Sequence, residues 1–242
     1  MKNPSKILSK QRHRPFPYPE APWAFYQEWH QAIFLHWEVP VDILRKLIPK
    51  SLDLDTYDGV GYISLVAFTA ENSRPRILPP IPHISHFLEI NIRTYVLKDG
   101  RPGIYFLNME AGKTLSAMVF RGLTGFPYTP TIMMHNKSHF ISVDENNHHY
   151  FELEYKKEKK KKFPKSALDS WLAERYSVYL DLFGKILRYD VHHKEWPLQP
   201  LEIKNLQLKY NLGDYSMNDP KPLLAHFSKG VEVVGWLPKI FQ

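Results

Sequence analysis

The chain has 242 residues, of which 43% are hydrophobic and 14% aromatic, so it is long enough for one well-packed domain and does not have a disordered composition. It contains no cysteine, which excludes disulfides, thiolate catalysis and cysteine-bound zinc or iron–sulfur sites. The formal net charge of +7 is concentrated in the N-terminal segment and in residues 156–165, and the nearly neutral remainder argues against a nucleic-acid-binding surface.

Residues 1–22 are predicted to form an extended tail, rich in basic residues and proline, ahead of a single domain over residues 23–242. Prolines favour extended backbone, and this tail contains Pro15, Pro17, Pro19 and Pro22. The tail lacks the apolar run of a signal peptide, and no stretch of the chain reaches the length of an uncharged transmembrane helix. We therefore expect a cytoplasmic protein that does not bind membranes.

The first part of the domain alternates strand and helix patterns. The aromatic-rich segment "WAFYQEWHQAIFLHWEV" predicts a short helix and then a strand over residues 31–39, where apolar residues recur at every second position. The apolar residues of "VDILRKLIP" have helical spacing, and Pro49 ends that helix. "TYDGVGYISLVAFTA" predicts a second strand, and the four prolines within residues 72–85 predict an ordered loop.

The next segment, "HFLEINIRTYV", is a strand pattern with an unusual second face. Side chains two apart in a strand share a face, so Glu89, Asn91, Arg93 and Tyr95 lie together. That face could lie in solvent, as is common in antiparallel sheets. It could instead line a cavity in which Arg93 binds a carboxylate and Glu89 acts as an acid or base. The strand by itself favours the solvent-facing interpretation.

The remaining segments complete a mainly β pattern. "LKDGRPG" predicts a hairpin that pairs this strand with "IYFLNMEAG"; "TLSAMVFRGLTG" has helical spacing, and "FPYTPTIMMH" is extended. "HFISVDENNHHYFELEY" predicts a hairpin that turns at residues 145–147. "SALDSWLAERYSVYL" predicts the clearest helix, capped by Ser166 with Asp169 and continuing to Tyr179. The pattern indicates an α+β protein, mainly β, with an antiparallel, barrel-like sheet and two or three helices.

Histidines and lysines offer weaker candidate sites. His83 and His86 precede Glu89 with a spacing that binds metal only if the segment turns, so ordinary loop histidines are the favoured interpretation. The adjacent pairs at residues 148–149 and 192–193 diverge in a strand. The lysine run at residues 156–162 predicts a solvated loop or hairpin end, and binding to nucleic acid is the weaker alternative.

Common catalytic signatures are absent from the sequence. There is no phosphate-binding glycine loop, dinucleotide fingerprint, Gly-x-Ser-x-Gly elbow or His-Glu-x-x-His motif. Their absence lowers the expectation of an enzyme without removing it. No metal or cofactor is predicted.

Five separated motifs resemble, in order, a bacterial family of uncharacterised YqjF-like proteins within the acetoacetate decarboxylase-like superfamily. They are "HWEVPVDILRKLIPKSLDLDTYDG", "FLEINIRTYV", "FPYTPTIMM", "LAERYSVY" and "EWPLQPLEI", and they span roughly residues 29–205. The resemblance implies a conical antiparallel β-barrel with flanking helices and a polar internal cavity. In such a barrel the face that carries Glu89 would point inward.

The resemblance also implies that the cavity lacks the lysines needed for Schiff-base decarboxylation. "RGLTGFPYTP" is similar to the decarboxylase segment that ends in two lysines, the first of which forms a Schiff base with the keto acid while the second lowers its pKa. Here Tyr128 and Thr129 occupy those positions, so decarboxylation through an imine is not expected. The resemblance instead points to Glu89 and Tyr128 as catalytic proton carriers and to Asn91, Arg93 and Arg121 as ligand-binding residues.

Two functional hypotheses follow. In the first, the protein binds or transforms a small anionic molecule, such as a keto or carboxylic acid, in the cavity. In the second, it is a non-catalytic structural or self-associating protein, and a homo-oligomer is consistent with either.

Overall fold

A computed structural model describes residues 4–158, 163–218 and 221–241, and in that part of the chain strands dominate. The fifteen strands are β1 (Phe25–Val39), β2 (Asp53–Leu54), β3 (Gly61–Pro75), β4 (Phe87–Lys98), β5 (Arg101–Ala111), β6 (Tyr128–Pro130), β7 (Ile132–His135), β8 (His139–Asp144), β9 (His149–Lys157), β10 (Ser177–Leu182), β11 (Lys185–His193), β12 (Leu198–Leu212), β13 (Tyr215–Met217), β14 (Leu224–Gly235) and β15 (Lys239–Phe241). The helices are α1 (Ser5–Leu8), α2 (Val41–Leu47), α3 (Pro82–Ser85), α4 (Thr114–Thr124) and α5 (Ala167–Ala173).

Seven strands pair into a closed ring in the order β11, β10, β5, β4, β3, β1 and β14. The ring closes because β14 pairs with β1 along most of its length and also with the end of β11. Six of the seven contacts are antiparallel, and the exception is the parallel contact between β5 and β10. The ring therefore departs from the expected purely antiparallel arrangement at this one contact, because β10 enters it after a long excursion of the chain.

A second layer covers one side of the ring. β12 pairs with β14 through residues 198–200, then leaves the ring and pairs with β9, and β8 and β7 follow in the same antiparallel sheet. Apolar side chains from the outer face of β4, Ile90 and Ile92, pack in one cluster with Phe140 and Phe151 of this layer. Both faces of β4 are consequently covered by protein.

The structure differs from the sequence-based expectation at β1 and α5. β1 begins at Phe25, where a helix was expected, because residues 25–30 pair with both β3 and β14. A register shift between His30 and Ile33, where Gln31 has a positive φ of 52°, interrupts the period-two pattern. α5 has the expected capping box at Ser166 but ends at Ala173 instead of continuing to Tyr179. Residues 177–182 pair with β11 and β5 as a strand, so tertiary pairing overrides their helical spacing.

Other expectations agree with the structure. α2, α4 and the hairpin of β8 and β9 lie where they were predicted. Within the described residues, three helices have seven or more residues, and α1 and α3 are single turns of four. α3 lies in the proline-rich segment predicted as loop. None of the helices in the described ranges is long and apolar enough to cross a membrane.

The segment ahead of β1 contacts the ring. Ile7 of α1 is buried in a cluster with Tyr26, Val234 and Trp236. Arg14 donates a hydrogen bond of 2.6 Å from Nη1 to the carbonyl oxygen of Val191. The segment therefore contains a helical turn and buried contacts in addition to the expected extended stretches. The lysine run begins in β9, and its residues 159–162 lie outside the described part of the chain.

Candidate functional site

The ring encloses a cavity of about 140 Å³, and all seven of its strands contribute side chains to the lining. Aromatic and aliphatic residues form most of the wall, including Trp29, Phe68, Phe106, Phe126 and Trp196. Cavities of about 150 Å³ hold a benzene ring in other proteins, so the space suits a small organic molecule. A mostly apolar wall with a few convergent polar groups is typical of ligand sites.

β4 supplies the polar groups of this wall. Glu89, Asn91 and Arg93 line the cavity and are only 4%, 4% and 8% exposed. Ile90 and Ile92, on the opposite face, are completely buried under the second layer. The solvent-facing interpretation of this strand is therefore wrong, because closure of the ring turns the polar face inward.

Glu89 and Tyr128 form a buried hydrogen-bonded pair. The Tyr128 hydroxyl donates to Glu89 Oε2 at 3.0 Å, and the Asn91 amide donates weakly to Oε1 at 3.4 Å. Burial raises the pKa of the Glu89 carboxyl from 4.5 to about 7, although both hydrogen bonds oppose the rise. Burial and the neighbouring Glu89 raise the pKa of Tyr128 well above its ordinary value, so Tyr128 remains a donor. Glu89 is thus poised to take up or release a proton near neutral pH.

Arg93 is a buried cation with unsatisfied donors. Its Nε and Nη2 atoms have no hydrogen-bond partner among the described residues, and the guanidinium lies 6.0 Å from the centre of the Phe34 ring. Burial lowers its pKa from 12.5, but an arginine in a protein stays protonated. The Asn91 Oδ1 atom is also buried without a partner. Buried polar atoms are nearly always satisfied, so these atoms are candidates for hydrogen bonds to a bound molecule.

Arg175 brings a second guanidinium to the cavity, and sequence reasoning assigned it no role. Its Nη1 atom contacts Asp55 Oδ2 at 2.5 Å and its Nε atom donates to the Trp171 carbonyl, but Nη2 has no partner in the described part of the chain. It is 7% exposed and lines the same cavity. The signal that could have revealed it is a charged residue on the apolar stripe of the predicted helix "SALDSWLAERYSVYL".

The structure places the other candidates elsewhere. Arg121 lies on the exposed side of α4 and does not line the cavity, so the structure brings together four of the five predicted site residues. His83 is exposed in α3, and His86 is half-buried outside the cavity lining. No lysine is found among the described residues that line the cavity.

Comparison with known proteins agrees with the sequence resemblance. The sequence model of DUF2071, a family described as an uncharacterized conserved protein, matches residues 26–232. The chain belongs to this family. It is also 35% identical over 225 residues to the uncharacterized protein YqjF of Bacillus subtilis (strain 168), covering 90% of this chain and 93% of YqjF. The expected membership of a YqjF-like family is thereby confirmed.

Solved structures of acetoacetate decarboxylase-like proteins have a similar fold. An acetoacetate decarboxylase-like enzyme from Sphingomonas wittichii RW1 superposes with a TM-score of 0.61 at 13% identity, covering 92% of this chain and 94% of the other. Acetoacetate decarboxylase from Legionella pneumophila subsp. pneumophila str. Philadelphia 1 gives 0.58 at 14% identity, covering 98% and 95%. The enduracididine biosynthesis enzyme MppR, complexed with pyruvate, gives 0.58 at 11% identity, covering 92% and 91%. At such low identity these similarities show the fold alone.

Proposed function

We propose that this protein binds a small organic acid, a keto acid or another carboxylate, inside the ring, with the carboxylate between Arg93 and Arg175. The observation that carries the proposal is the set of buried guanidinium N–H groups without partners, Nε and Nη2 of Arg93 and Nη2 of Arg175. In this proposal the ring is the conical barrel of the acetoacetate decarboxylase-like type. Its cavity corresponds to that of the decarboxylases but does not carry out their Schiff-base chemistry.

Charge balance supports an anionic ligand. Among the described residues, no carboxylate forms an ion pair with Arg93, and Asp55 satisfies only part of Arg175. A buried charge without a partner is costly, and a carboxylate can accept two parallel hydrogen bonds from one guanidinium. The apolar wall then suits a short carbon skeleton. The pyruvate named with MppR is an acid of this class, which supports the proposed ligand type.

Proton transfer is the chemistry that the cavity supports best. Glu89, with its pKa near 7, can exchange a proton with a bound ligand. Tyr128 donates a hydrogen bond to the carboxylate of Glu89. No lysine is available in the described lining for an imine, so we propose acid–base chemistry or simple binding in place of Schiff-base decarboxylation. Glu89 and Tyr128 are the proposed catalytic residues, and Asn91, Arg93 and Arg175 the ligand-binding ones.

Titration calorimetry with pyruvate, acetoacetate and the uncharged analogue pyruvamide tests the proposal. We expect the two acids to bind and pyruvamide to bind at least tenfold more weakly, because a hydrogen bond to a charged group contributes about 1.5–3 kcal/mol. Arg93→Gln should weaken binding of the acids at least tenfold. Arg121→Gln is the matched control, since Arg121 is exposed on α4, and it should bind like the wild type. Equal loss in both variants, or no preference for acids, would contradict the proposal.

Self-association is a second candidate property. Ile132 and Met134 of β7 are 71% and 56% exposed, and β7 is the outermost strand of the second layer. An apolar edge strand is a ready template for pairing with another chain. Light scattering of the wild type and of Ile132→Lys tests this property: a monomeric wild type, or an oligomer unchanged by the substitution, would contradict it.

A further inference from the structure

A second buried polar cluster lies on the other side of β5 from the cavity. Met109 lines the cavity, and the next residue, Glu110, contacts the second layer instead. There Glu110 meets Asp144, at the end of β8, and His149, at the start of β9. One potential ligand atom from each of the three lies within 4.8 Å of the others. Glu110 belongs to β5, whereas Asp144 and His149 face each other across the turn between β8 and β9.

Within the described ranges, no lysine or arginine balances the carboxylate charges of this cluster. Glu110 and Asp144 are 0% and 4% exposed, and no lysine or arginine among the described residues forms an ion pair with either. Buried carboxylates are normally paired with a cation or coordinate a metal. Two of them placed side by side at the interface of two sheets therefore indicate a cation that the residues themselves do not supply.

His149 provides the independent observation. It is 8% exposed, and its Nδ1 atom has no hydrogen-bond partner among the described residues. This atom faces Glu110 Oε1 at 3.7 Å, which is beyond hydrogen-bond distance. The two atoms are thus too far apart for a hydrogen bond but close enough to bind one ion between them.

Surrounding hydrogen bonds orient the carboxylates. Glu110 Oε1 accepts from the Asn108 amide at 2.9 Å, and Oε2 accepts from the hydroxyls of Ser142 at 2.8 Å and Tyr210 at 3.3 Å. Asp144 accepts from the backbone N–H groups of residues 146 and 147 and from the Asn147 side chain at 2.7 Å. Outer hydrogen bonds of this kind fix the direction of metal-binding carboxylates.

We propose that Glu110, Asp144 and His149 bind one divalent transition-metal ion, Zn²⁺ or Mn²⁺. One imidazole and two carboxylates suit these ions, whereas Mg²⁺ and Ca²⁺ prefer oxygen ligands alone. Ligands about 2.1 Å from one ion lie about 3–3.5 Å apart in tetrahedral or octahedral geometry, so the three atoms must approach slightly on binding. The exposed turn at residues 145–148 gives an ion access from solvent.

The ion would join the two layers of the fold. Glu110 belongs to the ring, whereas Asp144 and His149 flank the turn of the second layer's hairpin. An ion bound only by the folded arrangement stabilises it by mass action, so its role here is structural and separate from the ligand cavity. The proposal therefore stands or falls independently of the proposed function.

Metal content and thermal unfolding of the untagged full chain test the site. After treatment with EDTA and dialysis, we expect titration with ZnCl₂ or MnCl₂ to load one ion per chain and raise the Tm by several degrees. His149→Asn and Glu110→Gln should abolish both effects. His139→Asn is the matched control, because His139 pairs with Glu152 on the same hairpin but is partly exposed, and it should load normally.

Three outcomes would overturn the proposal. The first is a chelated wild type that takes up neither ion. The second is loading that survives in His149→Asn. The third is loading lost equally in His139→Asn, which would indicate nonspecific binding to the hairpin. Circular dichroism of each metal-free variant establishes that it is folded, and Asp144→Asn replaces any variant that is not.

Discussion

The two faces of β4 and β5 carry buried polar sites of opposite charge. On the cavity side, Arg93 and Arg175 present guanidinium N–H groups that lack partners. On the second-layer side, Glu110 and Asp144 present two carboxylates with no basic partner except His149 in the described part of the chain. Because an unpaired buried charge is costly, we propose a counter-ion for each site: an organic anion in the cavity and a metal cation between the layers.

The largest effect is expected at the ion pair between Asp55 and Arg175, of which Arg175 lines the cavity. Asp55→Ala removes the carboxylate that contacts Arg175, whose side chain is 5% exposed, and leaves a buried cation fully unpaired. Breaking such a pair costs about 3–5 kcal/mol. We expect a decrease of that size in the free energy of unfolding, measured in urea without ligand.

The matched control for Asp55 is Glu202→Ala, which breaks an exposed pair with Lys204. Surface ion pairs contribute little, so this change should leave the stability unaltered within error. Equal effects of the two substitutions would mean that Arg175 is as well solvated as Lys204. The cavity would then no longer hold a costly unpaired positive charge, and the contrast with the second-layer site would fail.

Glu89 gives a pH dependence of unusual sign. Its pKa is higher in the folded protein, about 7, than the ordinary value of 4.5, so the folded state binds more protons between these limits. The contribution of Glu89 to stability is therefore fully present below about pH 4.5 and is lost as the pH rises through about 7. The difference corresponds to about 3 kcal/mol.

Denaturant unfolding at several pH values measures this effect against Glu89→Gln, which has no proton to lose. The wild type should lose about 2.5 kcal/mol relative to the variant between pH 5 and pH 8. Parallel curves for the two proteins would show that Glu89 is solvated and unsuited to proton transfer near neutrality.

Arg93→Met tests the cavity with a smaller effect. The substitution replaces a buried cation with an apolar side chain of similar length beside Phe34. Replacing buried charges by apolar groups is often neutral or stabilising, so we expect the ligand-free protein to gain about 1–3 kcal/mol while binding of organic acids is lost. Loss of stability together with binding would mark Arg93 as part of a structural network.

The sequence predicts which side chains share the polar face of β4, but not that this face lines an enclosed cavity. Period-two alternation correctly grouped Glu89, Asn91 and Arg93 on one face, because that pattern is local. Whether the face points inward depends on the pairing of β14 with β11 and β1, which no local pattern contains. The family resemblance supplied that information. Arg175 went unassigned because the helical spacing placed it inside a predicted helix, whereas α5 ends at Ala173 and the next residues pair as a strand.

The proposed metal-binding cluster could be predicted only in part. Asp144 and His149 face each other across the predicted hairpin of β8 and β9, but Glu110 joins them only when the second layer packs on the ring. The adjacent histidines diverge as expected: His148 is exposed with a φ of 54°, and His149 is buried. The two histidines therefore have different environments, and only His149 turns inward.

Tyr128→Phe produces the smallest and most specific change. It removes the hydroxyl that donates to Glu89 and retains the ring, which packs in the cavity wall. Because that hydrogen bond lowers the pKa of Glu89, its loss should raise the midpoint of the Glu89 titration above 7, by roughly one pH unit. The pH dependence of unfolding, with Glu89→Gln as reference, reports the midpoint.

Tyr95→Phe is the matched control for Tyr128. It also removes a buried tyrosine hydroxyl from the polar face of β4, but that hydroxyl contacts Ser64 and the Leu172 carbonyl instead of Glu89. The Glu89 midpoint should then stay at about 7 even if stability falls. A midpoint that moves equally in both variants would attribute the raised pKa of Glu89 to general repacking. A shift in Tyr128→Phe alone identifies Glu89 and Tyr128 as one unit that holds the proton.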